Sequence, residues 1–321
     1  MSTAPTVRHH RIDTGGGVHL HVRDAGPEDG APVLLLHGFP ELATSWRHQE
    51  AALAAAGYRT LAPDMRGYGA SDVPADTAAY GMGALVGDAA GVLDGLGIER
   101  AAVVGHDWGA LVAWQAALRL PERLTAVAGL SVPHTARGDM RPTELYELFF
   151  PDRFFYILYF QQPGVAEREL EADLRAFHLR IRWSTSGAQP PVPADPPREG
   201  TGYLDSLAAA PAELPAWLPE DHLDELVEAA GRTGLAGALS WYRNLDANWE
   251  ASADVDQHVH VPAAFITGEH DPLAKLLPAS SMDSWVDDLR LSRMLPGVGH
   301  WTGEEDPEGV NAALLEFLAG V

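Results

Sequence analysis

The chain contains no cysteine and a single lysine, Lys275. Without thiols, disulfide scaffolds, thiolate zinc sites and cysteine nucleophiles are all excluded, so any nucleophile is an oxygen or a nitrogen. Positive charge is scarce altogether: 22 Lys plus Arg stand against 45 Asp plus Glu, a formal charge of −23 over 321 residues. The arginines are scattered, whereas phosphate backbones are held by clustered cations, which excludes nucleic acid as a partner. An anionic membrane surface would repel so acidic a chain for the same reason. Long hydrophobic runs are also missing. Even the aromatic stretch Leu148 to Phe160 is broken by Pro151, Asp152 and Arg153, short of the roughly 18 apolar residues of a membrane span. The opening MSTAPTVRHH has no apolar signal-peptide core, and the expectation is a cytoplasmic protein. With 46% apolar residues there is ample material for a core, so global disorder is excluded and the length suits one large domain or two small ones.

Strand-like and helix-like runs alternate over the first 130 residues or so. Arg8 to Thr14 and Val18 to Asp24, separated by three glycines, read as a hairpin with alternating polar and apolar positions. Pro32 to Leu36, Arg59 to Pro63 and Ala101 to Gly105 read as apolar runs, the second only after Arg59 and Thr60, the mark of parallel strands covered on both faces. Helical spacing follows them over Trp46 to Ala56, Met82 to Leu96 and Trp108 to Leu120. A sixth apolar run, Leu124 to Val132, ends at Pro133. From there to Glu250 aromatic helical segments dominate, interrupted by the loop QPPVPADPP from Gln189 to Pro197, where proline removes donors and disfavours helix. Val261 to Thr267 and Leu289 to Leu295 restore the strand pattern before a last helix from about Pro307 to Leu318. The layout is an α/β sheet domain, 1–132 and 251–321, interrupted by a helical insertion, 133–250.

Three strand ends carry chemistry. VVGHDWGA ends a strand and opens a helix, placing Asp107 in a Gly-x-Asp-x-Gly turn that exposes the central side chain at the helix start. His37-Gly38-Phe39-Pro40-Glu41 follows the third strand, in a tight loop that can turn the Phe39 N–H toward Asp107. With the Trp108 N–H it forms a pair of donors for a developing oxyanion, and the bond before Pro40 is a candidate cis peptide. Asp271 in GEHD follows the seventh strand and His300 in GVGH follows the eighth. Nucleophile, acid and base thus occur in the chain order of the α/β-hydrolase arrangement.

The chain resembles soluble epoxide hydrolases of the α/β-hydrolase fold. HGFPELATSWRHQ at 37–49, DMRGYGASD at 64–72, GHDWG at 105–109, FYILYFQQPGVAE at 155–167, WYRN at 241–244 and GHWT at 299–302 carry the likeness, which runs from about residue 8 to 319. It implies a mostly parallel eight-stranded sheet flanked by helices, with residues 133–250 as a helical cap. HGFP and GHDWG are shared with dehalogenases; the two tyrosine segments are the specific part. In the family the cap lends two tyrosines, and the matching positions are Tyr156 and Tyr242. Phenols there can hold an epoxide oxygen and protonate it as the ring opens. The implied reaction converts an epoxide to a vicinal diol through an ester on Asp107, which water activated by His300 and oriented by Asp271 then hydrolyses. The partners implied are a small, apolar epoxide and water, with no cofactor and no metal; assembly as a homo-oligomer is left open.

Two other functions are weighed beside it. A haloalkane or haloacid dehalogenase shares the Asp nucleophile but needs halide donors, and Phe39 and Trp108 stand where a halide-binding side chain or an arginine would be expected. A non-catalytic small-ligand receptor on the same fold is disfavoured because nucleophile, acid and base are all retained. Tyr159, three residues after Tyr156, reads as packing. Phe149, Phe150, Phe154, Phe155 and Trp183 suggest an apolar pocket. Asp246 and Asp256 are fallback partners for His300, and Arg66 and Asp72 read as loop stabilisers. His19, His21, His258 and His260 alternate in pairs without a third ligand at metal spacing, so they read as exposed strand faces, and His9 and His10 as solvated.

Overall fold

Apolar runs become the central strands of one sheet, while its outer strands carry polar residues at alternate positions. The computed structural model describes residues 6–321; residues 1–5, part of the segment read for a signal peptide and the start of the expected core segment, lie outside it. The strands are β1 (Val7–Asp13), β2 (His19–Ala25), β3 (Pro32–Leu36), β4 (Arg59–Pro63), β5 (Ala101–His106), β6 (Leu124–Leu130), β7 (Ala263–Gly268) and β8 (Leu289–Leu295). They form one sheet in the order β1-β2-β4-β3-β5-β6-β7-β8. The pairs β1/β2 and β2/β4 are antiparallel and all others parallel. Successive residues of a strand feed opposite layers: Leu34 and Leu36 pack into one core, Val33 and Leu35 into the other.

Helices α1 (Arg47–Ala55), α2 (Met82–Gly95) and α3 (Trp108–Arg119) connect the first strands. Between β6 and β7 come α4 (Pro142–Phe149), α5 (Tyr156–Phe160), α6 (Val165–Leu170), α7 (Leu174–Ser184), α8 (Glu220–Thr233), α9 (Ala236–Arg243) and α10 (Leu245–Ala251). The chain ends with α11 (Pro272–Leu276), α12 (Thr302–Glu305) and α13 (Pro307–Leu318). Most strand limits lie within one residue of expectation, and two differ by two residues. β6 stops at Leu130 because Ser131 turns to φ +67° and its hydroxyl donates to the His300 carbonyl at 2.9 Å. β7 starts only at Ala263, since Pro262 has no N–H for the ladder.

The inserted helices are fastened to the sheet domain by buried charge. Glu304 of α12 pairs with Arg182 of α7 and with Arg47 of α1, the latter at 2.7 Å, and the Nε2 of His222 in α8 lies 2.8 Å away. Burial opposes ionisation of Glu304, but the cations around it, Arg182 foremost, hold its carboxyl well below the usual range. The Arg182 guanidinium also lies over the Trp301 ring, 4.4 Å from its centre.

The loop carrying DMRGYGASD is anchored by a second buried pair. Arg66 Nε and Nη2 donate to the two oxygens of Asp88, each at 2.7 Å, and Asp72 accepts from Arg11 at 2.5 Å. The expected loop-stabilising roles are therefore what these residues do. The histidines are not simply exposed or solvated, however: His21 Nδ1 lies 2.9 Å from Asp64, His19 Nδ1 lies 3.2 Å from Asp72 and His10 Nε2 lies 3.0 Å from Asp24. Pairing of β1 with β2, and the loop that follows β4, put these rings beside carboxylates that sequence spacing does not reveal. Replacing Arg66 by Met leaves Asp88 buried with a charge and no cation, and is expected to cost about 3–5 kcal/mol in urea unfolding. Adding Asp88→Leu should restore a large part of that loss; no recovery in the double variant would contradict this account.

Candidate active site

The nucleophile position is built by a forced turn. Asp107, between β5 and α3, has φ +51° and ψ −119°, a backbone conformation that costs on the order of 1–3 kcal/mol and persists only where its surroundings over-determine it. The flanking glycines are needed for close approach. A Cβ on Gly105 would lie 2.0 Å from the Gly109 carbonyl oxygen, and one on Gly109 would lie 2.0 Å from that of Leu36. Helix and strand therefore touch through bare backbone, and the turn lifts the Asp107 side chain off the sheet.

The loop after β3 meets that side chain. The Phe39 N–H donates to Asp107 Oδ1 at 2.8 Å, and the Trp108 N–H is a second donor to the same carboxylate. Gly38 is pressed against it, a Cβ there falling 2.5 Å from the Asp107 Cβ. The Phe39–Pro40 peptide bond is cis. His37 braces the loop as a neutral ring: Nδ1 donates to the Gly38 carbonyl at 2.9 Å and Nε2 accepts the Met65 N–H at 2.9 Å. Burial, which lowers its pKa, fits that form.

Asp271 and His300 arrive from the ends of β7 and β8. His300 Nδ1 lies 3.1 Å from Asp271 Oδ2, and the other Asp271 oxygen accepts the Leu273 N–H at 2.9 Å, capping α11. His300 Nε2 points at Asp107 Oδ2 across 3.6 Å. Burial disfavours charge on the His300 ring, yet Asp271 outweighs it and raises the pKa above 6.5. Asp271 is buried, and His300 nevertheless keeps its carboxyl below the ordinary value. Burial raises Asp107 despite His300, His106 and the two N–H donors. The fallback acids are occupied elsewhere: Asp246 accepts from Thr143 at 2.5 Å and Asp256 pairs with His260 at 3.1 Å.

A cavity of about 350 Å³ lies above Asp107, between the sheet domain and the inserted helices. Tyr156, at the start of α5, and Tyr242, near the end of α9, both line it, their ring centres 6.0 Å apart and nearly perpendicular. Burial, followed by the Asp107 charge, raises both phenols well above their ordinary pKa, so they are held protonated. Tyr159 does not line the cavity; its hydroxyl donates to Glu169 at 2.5 Å. Phe150, Phe154 and Phe155 line it as expected. Phe149 and Trp183 do not, a correction to the expected lining: Phe149, last residue of α4, is 59% exposed. The three rings that line it lie in the connection between α4 and α5, so the path of that connection, not helical spacing, decides which members of the run face inward. The Trp108 ring packs edge-on to Trp241 and Tyr242 outside the cavity lining, leaving its N–H as the contribution to the site. The proline loop folds over the mouth, where the Phe154 N–H donates to the Pro196 carbonyl at 2.8 Å. Among the described residues no group of three or more His, Asp or Glu assembles to hold a metal ion.

Two features escaped the sequence reading. Tyr203, from the segment after the proline loop, lines the cavity as a third phenol. Beneath Asp107, His106 Nδ1 lies 2.8 Å from Glu41 Oε2 and its Nε2 lies 2.8 Å from the His300 carbonyl oxygen. Both ring nitrogens face acceptors, so both carry protons and the ring is a cation. Glu41 also accepts the Gly38 N–H at 2.7 Å. Although burial works against both charges, the pairing brings His106 up to about 9 and Glu41 down to about 2. Their only sequence signal is their place within the motifs GHDWG and HGFPE.

The family model described as "alpha/beta hydrolase fold" matches residues 31–307, which agrees with the sheet order and the Asp107 turn. Epoxide hydrolase A of Mycobacterium tuberculosis is 45% identical over 325 residues, covering 99% of this chain and 98% of the relative. A crystal structure of epoxide hydrolase A from Mycobacterium thermoresistibile superposes with a TM-score of 0.91 at 42% identity, covering 98% of each chain. An epoxide hydrolase from an endophytic Streptomyces gives 0.91 at 40%, covering 99% and 96%. The chain belongs to the epoxide hydrolases of the α/β-hydrolase fold. No helix among the described residues is long and apolar enough to cross a membrane.

The His106 charge has a pH consequence. A histidine raised on folding contributes stability in full below its unfolded value near 6.5 and loses it as pH rises through about 9. Urea stability is therefore expected to fall between about pH 7 and about pH 9.5, and the fall should be much shallower in Glu41→Gln. Parallel curves for the two proteins would show that this pair does not govern the alkaline limb.

Proposed function

We propose that residues 133–250 act as a cap over a core of 1–132 and 251–321, and that Asp107, Asp271, His300, Tyr156 and Tyr242 carry epoxide hydrolysis between them, in the cytoplasm, on a small apolar epoxide. The observation that carries this reading is the posture of Asp107. Its Oδ1 rests on the Phe39 N–H, while Oδ2 is turned toward His300 and the cavity. A carboxylate so held presents one oxygen for attack and keeps the other in place as the carbonyl oxygen of the ester to come.

In the first half, Asp107 Oδ2 attacks a ring carbon in line. The ring C–O bond breaks, and its electron pair stays on oxygen, which Tyr156 and Tyr242 hold and protonate. In the second half, water gives a proton to His300 Nε2 and attacks the Asp107 carbonyl carbon. The tetrahedral oxyanion sits on the Phe39 and Trp108 N–H groups. It collapses with release of the diol, whose oxygen takes the proton back from His300, and the carboxyl proton left on Asp107 passes to the tyrosinate formed at ring opening, which restores both groups. Asp271 orients the imidazole and stabilises its charged form. Two phenols over the nucleophile favour an epoxide over a halide leaving group, which takes no proton.

Single turnover in water enriched in heavy oxygen is expected to leave the label on Asp107 and none in the diol; label in the first-turnover diol would overturn the covalent route. His300→Gln should still form the ester but not hydrolyse it, so intact-protein mass rises by the mass of the epoxide, and Asp107→Ala should show no such rise. Tyr156→Phe and Tyr242→Phe are each expected to slow ester formation at least about tenfold, and the double variant about 10³-fold or more. Full ester formation in the double variant would remove the tyrosines from the reaction.

A further inference from the structure

Tyr203 has no place in the reaction as described, yet the protein holds it firmly. It is buried, only 6% exposed, in a short turn that is pinned on several sides. Glu169 accepts the N–H groups of Tyr203 at 3.0 Å and Leu204 at 2.9 Å. The Ser206 hydroxyl donates to the Tyr203 carbonyl at 2.7 Å, and Arg180 Nη2 donates to the Leu204 carbonyl at 2.6 Å. The ring packs against Phe160 at 5.0 Å and lies 6.1 Å from Tyr156, centre to centre.

The phenol hydroxyl itself meets no protein partner among the described residues, although a buried tyrosine ordinarily finds one. The other hydroxyls of the lining outside the tyrosine pair are spent: Ser206 on the Tyr203 carbonyl, and Thr185 on the Ile181 carbonyl at 2.9 Å. The one cation in the lining, Arg153, is paired with Asp195 at 2.8 Å near the mouth. Burial and the Asp107 charge keep the Tyr203 phenol protonated, so it acts as a donor. Tyr156 and Tyr242 are engaged by the ring oxygen, which leaves one free donor for another atom of the substrate, a few bonds from the ring.

We propose that Tyr203 is a specificity-determining residue: its hydroxyl donates a hydrogen bond to an acceptor oxygen that the substrate carries beside the epoxide ring, so the site prefers glycidyl ethers and esters to hydrocarbon epoxides of the same shape. This rests on the reading of the chain as an epoxide hydrolase. A donor left without its acceptor in a buried site is penalised, which is how one hydroxyl discriminates between isosteres.

The test compares phenyl glycidyl ether with its all-carbon isostere, phenethyl oxirane, in the wild type and in Tyr203→Phe. Because the two epoxides differ in intrinsic reactivity, the readout is the ratio of their kcat/KM values between the two proteins. Loss of the hydroxyl should lower kcat/KM for the ether about tenfold and for the isostere less than about twofold. Equal losses on both, as a merely structural role would give, or no loss on either, overturn the proposal while leaving the epoxide reading intact. If the wild type makes diol from neither, the epoxide reading itself fails. A second measurement needs no variant: phenoxypropanediol should inhibit the wild type about tenfold more tightly than phenylbutanediol, and equal inhibition counts against Tyr203.

Discussion

The left-handed turn at Asp107 is the constraint on which the rest of the site depends. An L-residue at φ +51° is held there by contacts on every side. Gly105 and Gly109 meet backbone to backbone, Gly109 sits on the end of β3, and Gly38 presses on the Asp107 side chain. Each of these requires β3 and β5 to be neighbours, which the parallel sheet supplies. The same adjacency sends the loop after β3 over the turn and puts the Phe39 N–H on the carboxylate. The strained Asp107 turn and the loop whose N–H meets its carboxylate are therefore one construction.

Buried charge organises the layer beneath. The His106 cation receives Glu41 on one nitrogen and gives the other to the His300 carbonyl. Glu41 in turn takes the Gly38 N–H. The loop after β3, the Asp107 turn and His300 thus share a single ion pair. Ser131 donates to the same His300 carbonyl, and the His300 N–H donates to the Thr185 carbonyl at the end of α7 at 2.8 Å. His300 is fixed from the sheet domain and from the inserted helices at once, and the Glu304 cluster fastens the two together nearby. Breaking one member of such a pair costs far more than the pair contributes over an apolar substitute, so these charges serve arrangement more than stability.

The regular parts were legible because a sheet covered on both faces demands continuous apolar strands, and the runs at 32–36 and 59–63 coincide with β3 and β4. Asp107, Asp271 and His300 were legible for a related reason: the chemistry sits at strand ends, and strand ends are marked by Gly, Pro and a change of period. Tyr156 and Tyr242 came from resemblance, since nothing in helical spacing separates them from packing aromatics such as Tyr159. Phe149 and Trp183 were misplaced, because a run of aromatics does not state which faces the cavity. His106, Glu41 and Tyr203 were passed over, since a buried partner or a free hydroxyl is a relation between distant segments.

The sequence by itself determined the alternation of strands and helices, the absence of thiol chemistry, and the order in which Asp107, Asp271 and His300 follow their strands. These are local properties, written in periodicity, turn residues and residue type. Tertiary structure alone decided what those residues can do. Glu41 and Asp107 set the state of His106 against burial, and strand pairing and the loop after β4 bring histidines of β1 and β2 beside carboxylates. Packing of the segments after β6 brings three phenols into the cavity above Asp107 and leaves Tyr159 outside it. Such outcomes depend on distances between residues far apart in the chain, and electrostatic energies and hydrogen bonds are functions of distance.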